Sequence, residues 1–246
     1  MLIVWPCKLS FVSIKARAVN EERDSHPQGQ VIPVFPLPNV VLFPKVHLPL
    51  HIFEPRYRQM VKDAMAGPKL IGMALLRGDW SKNYHGNPDI YPVGCVGEIV
   101  SATPVPDGRF NIVLYGLREY HIQEQILEPS PYRQARVLIR AEPRESSQAL
   151  AASVRREIVD LVRQTMEQKD PDLLKVLSDP SLESETWLNL CCFSVEASML
   201  EKQSLLEAAS LEERAQCLLN VLHFKLVEKG APFEGMKEAK ERKPPH

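Results

Sequence analysis

The sequence predicts an α+β protein, with an antiparallel β-barrel domain followed by an α-helical bundle. Over residues 30–143 apolar and polar side chains largely alternate, which is the period of a half-buried strand. Over residues 144–229 apolar side chains recur at the spacing of amphipathic helices. The 44% hydrophobic and 25% charged content is that of an ordinary globular protein.

The two ends of the chain lie outside this pattern. Residues 1–29 are interpreted as an N-terminal extension, for which disorder is one expectation, and residues 230–246 as a charged, proline-rich, disordered tail. The apolar start is interrupted by Pro6 and Lys8, which argues against a signal peptide, and no stretch reaches membrane-spanning length. We therefore expect a cytoplasmic protein with no membrane partner.

Within the β domain, one helix is expected between two strands. Pro55 occupies a first-turn position, and Gly67-Pro68 ends the apolar stripe that follows it. On either side, Val31–Phe35 and Lys69–Arg77 have the apolar character of buried strands. The stripe itself consists of Tyr57, Met60, Val61 and Ala64.

A hairpin is predicted in the second half of the β domain. Asp107-Gly108 separates the alternating segments Val93–Thr103 and Arg109–Tyr115, and this dipeptide favours the tight turn of a hairpin. Two further strands are expected at Arg118–Ile126 and Tyr132–Arg140. The count of five or six mostly antiparallel strands favours a small, partly closed barrel.

The α-helical domain shows an apolar stripe and two start signals. Leu150, Val154, Ile158, Leu161, Val162 and Thr165 share one helix face. The opposite face carries Arg155, Arg156 and Arg163, which we interpret as solvated because acidic residues lie beside them. Two pairs have the spacing of a capping box, namely Ser198 with Glu201 and Ser210 with Glu213.

Motifs for catalysis, metals and cofactors are absent from the sequence. No glycine precedes a lysine, so a Walker A phosphate loop is excluded, and neither G-x-G-x-x-G nor G-x-S-x-G occurs. Pro49 separates His47 from His51, which excludes the helical H-E-x-x-H zinc site. We predict no catalytic residue, no metal and no cofactor.

The five cysteines form no C-x-x-C pair, so neither a disulfide framework nor a zinc ribbon is indicated. Buried free thiols in a reducing compartment are expected. Cys95 with a distant histidine is an alternative nucleophile pair, but its apolar, strand-like context favours an inert buried thiol.

One long segment has the composition of a binding surface. Residues 78–92, termed the aromatic loop, carry Trp80, Tyr84 and Tyr91, and loops of this length are usually functional or disordered. We predict these three aromatics as binding anchors, with Phe35 and Phe43 as a neighbouring rim. The alternative is that Trp80 and Tyr91 fold back and cap the barrel.

Four segments together resemble the N-terminal substrate-binding domain of Lon proteases, in the right order over about residues 31–228. They are the proline- and aliphatic-rich opening Val31–Pro44, the segment His47–Tyr57, the central region Val93–Tyr120 and the closing stretch Lys202–Leu222. The resemblance implies a PUA-like β-barrel followed by a helical bundle that recognises protein substrates.

The resemblance also implies a non-catalytic role. In full Lon proteases an ATPase and a serine–lysine peptidase follow this domain, whereas the present sequence stops at His246. The expected function is a Lon-type substrate-recognition module that binds unfolded or partly unfolded proteins or peptides. It would act as an adaptor in proteolysis or protein quality control, with a protease or chaperone as partner.

Three other functions stay open at this stage. PUA-like barrels elsewhere bind RNA, but the basic residues of the β domain are scattered and the net charge is −1, which disfavours nucleic acid. A small-ligand pocket, as in cereblon-type relatives, lacks the paired cysteines of that group's zinc site. An autonomous hydrolase is the third alternative.

Overall fold

The chain forms two compact units, Met1–Ser147 and Gln148–His246. The computed structural model describes residues 29–84, 86–126, 129–140, 150–166 and 171–230. The interpretations of residues 1–28 and 231–246, and the predicted domain boundary near residue 143, lie outside the described residues.

The described part of the first unit contains six strands and one α-helix. The strands are β1 (Gln30–Leu37), β2 (His47–Ile52), β3 (Leu70–Leu75), β4 (Val93–Pro104), β5 (Phe110–Ile126) and β6 (Gln134–Ile139). The helix α1 spans Pro55–Ala66, with Glu54 as its N-cap and proline in its first turn, as predicted.

The six strands form one mixed sheet in the order β2-β5-β4-β3-β1-β6, and β6 also pairs with β5. The β1–β3 pair is parallel, whereas the other strand pairs are antiparallel, so the sheet is mostly antiparallel, as expected, but not purely so. A parallel pair needs a long crossover, and β2 and α1 lie in the connection between β1 and β3.

The strand β5 is one continuous element, although the sequence analysis divides it into two strands. Its pairing with β4 shifts register between Val96 and Gly97, near the proposed break. Here the backbone of Gly116 accepts from Lys45 N at 2.7 Å and donates to Val46 O at 2.9 Å. A Cβ at Gly116 would collide with the Phe43 carbonyl, so glycine allows this close approach.

The predicted hairpin joins β4 to β5. Asp107 and Gly108 both have positive φ, at 73° and 78°, as tight hairpin turns require. The strand β2, in contrast, is not among the predicted strands, and it contains Pro49. The structure accommodates this proline because β2 pairs on one side only, with β5, and an edge strand tolerates a missing donor.

Inside the sheet, Tyr120 anchors part of the apolar core. Its hydroxyl donates to Met73 O at 2.9 Å, and its ring lies against Gly72 and Gly94, where a Cβ would collide with it. The buried side chains around it include Ile32, Val34, Val96, Ala135 and Val137. The β3 segment is covered on both faces, as its apolar sequence predicts.

The described part of the second unit consists of five helices: α2 (Ala152–Thr165), α3 (Pro171–Leu177), α4 (Ser184–Ser194), α5 (Met199–Glu207) and α6 (Leu211–Glu228). Both predicted start signals are confirmed. The Ser198 hydroxyl accepts from Glu201 N, and the Glu201 carboxylate accepts from Ser198 N. The Ser210 hydroxyl likewise accepts from Glu213 N, but the Glu213 carboxylate accepts from Ala209 N and not from Ser210 N, so this capping box is incomplete.

The predicted face of α2 is confirmed for its apolar stripe from Val154 to Thr165, whereas Leu150 precedes the helix and Arg155 needs a correction. Arg156 and Arg163 are exposed, as expected. The Arg155 guanidinium instead lies 4.9 Å from the centroid of the buried Trp187 ring and donates to Leu182 O at 2.6 Å. A long stem and a flat cation let arginine cover an aromatic ring, so charge alone did not predict exposure.

The core of the second unit contains a buried arginine. Arg214 is 4% exposed, and its guanidinium donates to Leu205 O at 3.0 Å, Asn189 Oδ1 at 2.5 Å and Leu206 O at 3.3 Å. These bonds tie α6 to α4 and to the C-terminal part of α5. Among the helices that the structure describes, none is long and apolar enough to cross a membrane.

Candidate functional site

The first unit contains a surface pocket of about 280 Å³. Segments far apart in the sequence line it: β1, the start of α1, the aromatic loop, the end of β5 and the turn before β6. Two arginines, three tyrosines and three prolines dominate the lining, so we term it the tyrosine–arginine pocket. These residues are Arg56, Arg133, Tyr57, Tyr84, Tyr132, Pro36, Pro88 and Pro131.

On one side of the pocket, Arg56 is held in place by its neighbours. Its guanidinium lies 4.6 Å from the ring centroid of Tyr57 and 5.5 Å from that of Tyr84. Its Nε donates to the Glu54 carboxylate at 3.0 Å. The start of α1 therefore brings a cation, its counter-ion and a tyrosine together within four residues.

The same carboxylate also holds the aromatic loop. The Tyr84 hydroxyl donates to Glu54 Oε1 at 3.0 Å, so Glu54 links the loop to the start of α1. Burial, followed by this hydrogen bond, raises the pKa of Tyr84 to about 12. Tyr84 is thus a neutral phenol at physiological pH.

Across the pocket, the hydrogen-bonding capacity of the Arg133 guanidinium is only partly used. Its Nη2 donates to the Pro88 carbonyl at 2.6 Å, whereas its Nη1 is buried and has no hydrogen-bond partner. Burial lowers the pKa of Arg133 from the ordinary arginine value, because the charged form loses solvation. Beside it, the Tyr132 hydroxyl donates to Asp63 at 2.8 Å, which fixes the ring at the rim.

The predicted anchors divide between the pocket and the core. Tyr84 lines the pocket. Trp80 is half-buried, packs against the core with Tyr84, and lies 6.1 Å from the Tyr84 ring. Tyr91 is also half-buried; its amide donates to Leu75 O at 2.9 Å, and Arg77 lies 5.9 Å from its ring centroid. The loop therefore folds onto the unit while each ring keeps some exposed surface.

The predicted rim is corrected, because Phe35 and Phe43 are both 0% exposed. Phe35 packs beneath the pocket with its ring 4.3 Å from that of Tyr57. Both faces of the second half of β1 are covered, so alternation along the strand does not leave this side chain at the surface. Neither phenylalanine offers contact area at the surface, and Phe35 supports the pocket from inside through Tyr57.

Arg56 and Arg133 are not among the site residues predicted from the sequence. A local signal is present in retrospect: Pro55-Arg56-Tyr57 and Pro131-Tyr132-Arg133 each combine proline, arginine and tyrosine. Only the fold shows that the arginine and tyrosine of both triplets line one pocket.

None of the cysteines that the structure describes lines this pocket. Cys95, Cys191 and Cys192 are buried, which confirms the expectation for them, while Cys217 is partly exposed and Cys7 lies outside the described residues. Burial raises the pKa of the Cys192 thiol to about 12. Within the residues that the structure describes, no group of three His, Cys, Asp or Glu could hold a metal ion.

Comparison with known proteins places the chain in a family. The family described as the ATP-dependent protease La (LON) substrate-binding domain matches residues 31–223. The chain belongs to this family. Similar proteins include the Lon protease of Cytophaga hutchinsonii, 28% identical over 82% of this chain, and that of Parabacteroides distasonis, 26% identical over 84%. In both cases the match spans about a quarter of the Lon protease.

Two solved structures have a similar fold. A Lon N-terminal domain protein from Xanthomonas campestris aligns with a TM-score of 0.59 at 21% identity, covering 78% of this chain and 98% of that one. The N-terminal domain of Mycobacterium avium complex Lon protease aligns with a TM-score of 0.55 at 18% identity and the same coverage. The LON substrate-binding domain therefore accounts for both described units.

Proposed function

We propose that this LON-domain chain is a non-catalytic substrate-recognition module that binds unfolded or partly unfolded polypeptides. It would act as an adaptor in proteolysis or protein quality control and deliver its clients to a protease or chaperone. The family match over residues 31–223 is the observation that carries this proposal. The first unit would be a PUA-like barrel, which is supported by the pairing of β6 with both β1 and β5.

The binding surface of the proposal is the tyrosine–arginine pocket together with the aromatic loop. Trp80 and Tyr84 present partly exposed rings beside the pocket, and aromatic rings supply large contact area at low entropy cost. The Glu54 and Arg56 contacts hold Tyr84 before any ligand arrives. Preorganisation of this kind lowers the cost of binding. Tyr91 extends the surface along the loop.

The first experiment separates polypeptide binding from RNA binding. Purified protein is titrated with a denatured, apolar-rich polypeptide and with a structured RNA, each at low and moderate salt. We expect polypeptide binding that changes little with salt, because apolar contacts dominate. RNA binding that falls steeply with salt would support the nucleic-acid alternative instead.

A variant pair then locates the surface. We expect Trp80→Ala with Tyr84→Ala to weaken polypeptide binding about tenfold or more, the cost of losing aromatic anchors. The matched control is Tyr115→Ala, which removes a half-buried ring outside the pocket lining. If the double variant stays folded by circular dichroism and keeps full affinity, the loop is only a lid on the core.

The non-catalytic part of the proposal has its own test. The sequence has no Walker A loop, and its likeness to the two Lon proteases spans the quarter that includes their substrate-binding domain. Purified protein should neither hydrolyse ATP nor cleave unfolded casein. ATP turnover that survives rigorous purification and disappears with one point change in this chain would contradict the proposal.

A further inference from the structure

We infer that the tyrosine–arginine pocket recognises a carboxylate group of the bound polypeptide, through the guanidinium of Arg133. This inference rests on the proposed function and gives it a chemical specificity. The carboxylate could be an acidic side chain or the C-terminal carboxylate of the client, since both present the same two oxygens.

The two arginines of the pocket differ in what they already bind. The charge of Arg56 is balanced by the Glu54 carboxylate at 3.0 Å. Arg133 meets a neutral carbonyl through Nη2, and its Nη1 has no hydrogen-bond partner. A buried donor without an acceptor costs free energy, which an incoming oxygen would recover. Arg133 therefore lines the pocket without an ion pair among the described residues, although the Asp89 carboxylate acts on it at longer range.

An unsatisfied nitrogen is not by itself evidence of a site. Arg58 and Arg155 each also have a buried Nε without a hydrogen-bond partner, but neither lines the pocket. Arg133 both has an unsatisfied nitrogen and lines the pocket. A rotation of its guanidinium that gives up the Pro88 bond would present two parallel N–H groups to a carboxylate, the geometry that arginine favours.

The size and lining of the pocket favour a polypeptide as the bearer of that carboxylate. A volume of about 280 Å³ lies at the lower end of ligand pockets, enough for one or two side chains. The rest of the lining combines tyrosine rings and prolines, which suit apolar or aromatic neighbours of the charged group, with polar side chains that can bind a peptide backbone. The polar side chains are Asn87, Gln125 and Ser130. A nucleic-acid backbone would call for several unbalanced cations, and Arg56 is already neutralised by Glu54.

The inference is tested with three fluorescently labelled peptides of one apolar, aromatic sequence, bound to the full chain and followed by anisotropy. The first has a free C-terminus, the second a C-terminal amide, and the third the amide with one internal glutamate. We expect the first or the third to bind at least tenfold more tightly than the neutral amide. The peptide that shows the preference identifies the source of the carboxylate.

Variants then assign the preference to one residue. Arg133→Met should reduce binding of the preferred peptide to that of the neutral amide, and Arg133→Lys should restore part of the difference. The matched control is Arg136→Met, which removes a more exposed arginine of β6 whose Nε lies 3.7 Å from Glu124. This control should keep the full preference for the carboxylate.

The outcomes separate this inference from the proposed function. Equal binding of all three peptides by the natural sequence, or a preference that survives Arg133→Met, overturns the carboxylate assignment while polypeptide binding stands. If none of the peptides binds, and the denatured polypeptide does not bind either, the proposed function itself fails. The acid-against-amide comparison uses the natural sequence, so it is decisive even if a variant does not fold.

Discussion

The two units each contain an arginine withdrawn from solvent, and the two arginines differ in how their hydrogen bonds are met. In the second unit every nitrogen of the Arg214 guanidinium donates to an acceptor supplied by the chain. In the first unit Arg133 donates through Nη2 and has no partner at Nη1. The comparison suggests that a fully satisfied guanidinium holds helices together, whereas a partly satisfied one beside a pocket is available to a ligand.

The contrast extends to the neighbouring polar groups. In the second unit the Trp187 indole donates to Leu177 O at 2.8 Å, and the Gln203 amide donates to Glu207 at 2.8 Å. These bonds connect parts of the same unit. In the first unit, the hydroxyls of Tyr84 and Tyr132 donate to carboxylates, and both rings line the pocket. The polar groups of Trp187 and Gln203 serve packing within their unit, whereas those of Tyr84 and Tyr132 shape the pocket surface.

The largest expected effect is on Arg214. We expect Arg214→Met to lower the free energy of unfolding of the second unit by about 3 kcal/mol, because Asn189 Oδ1 and two buried carbonyls lose a charged donor. Urea unfolding followed by Trp187 fluorescence, in a Trp5→Phe, Trp80→Phe background, measures it. The control Arg163→Met removes an exposed ion pair and should cost less than about 0.5 kcal/mol. If Arg214→Met and Arg163→Met lower the free energy of unfolding equally, the structural role assigned to Arg214 is contradicted.

A smaller effect concerns Lys202, whose ammonium donates to Phe193 O at 2.6 Å. Burial lowers its pKa to about 8 from the usual 10.5. Between these values the unfolded state binds more protons than the folded state, so Lys202 should make stability rise with pH from about 8 to 10.5. The expected contribution is of the order of 1–3 kcal/mol.

The Lys202 effect is isolated by comparing variants across that pH range. The buried thiols of Cys191 and Cys192 have raised pKa values and oppose the rise. Because Lys202 and Cys192 each shift the pKa of the other, all variants carry Cys192→Ala, and the contribution of Cys191 is then common to them. The readout is therefore the difference in unfolding free energy between the Cys192→Ala protein with and without Lys202→Met. Lys175→Met, at an exposed position, should follow the Cys192→Ala protein. Parallel curves for all three proteins would show that Lys202 keeps its usual pKa.

The smallest expected effect on stability is that of Arg133→Met. The change loses one bond to Pro88 O but also removes a charge whose burial is costly, so we expect a shift of less than about 1 kcal/mol. Thermal unfolding of the first unit, followed through Trp80 fluorescence in a Trp5→Phe, Trp187→Phe background, measures it beside the Arg136→Met control. A loss as large as that for Arg214→Met would make Arg133 a structural residue.

Features that depend on neighbouring residues could be predicted from the sequence. The Asp107-Gly108 turn and the Ser198 capping box are determined within a few residues, and both occur as expected. The family resemblance also needed only ordered local motifs and is confirmed by the match to residues 31–223.

Features that depend on distant contacts could not be predicted in the same way. The strand β2 contains Pro49 and was not predicted, and it forms because it pairs on one side only. Phe35 was predicted at an exposed rim, but Tyr57, a residue of another element, covers it. Arg56 and Arg133 are far apart in the sequence and line one pocket only in the folded chain, so no local hydrophobic period could place them together.

The most direct test of the central claim, polypeptide recognition by the first unit, is hydrogen–deuterium exchange of the full chain with and without a saturating denatured polypeptide. The account predicts slower exchange in the aromatic loop, residues 78–92, and in residues 129–134, with little change in α4 to α6. Protection confined to the helices of the second unit, at saturation, would contradict it.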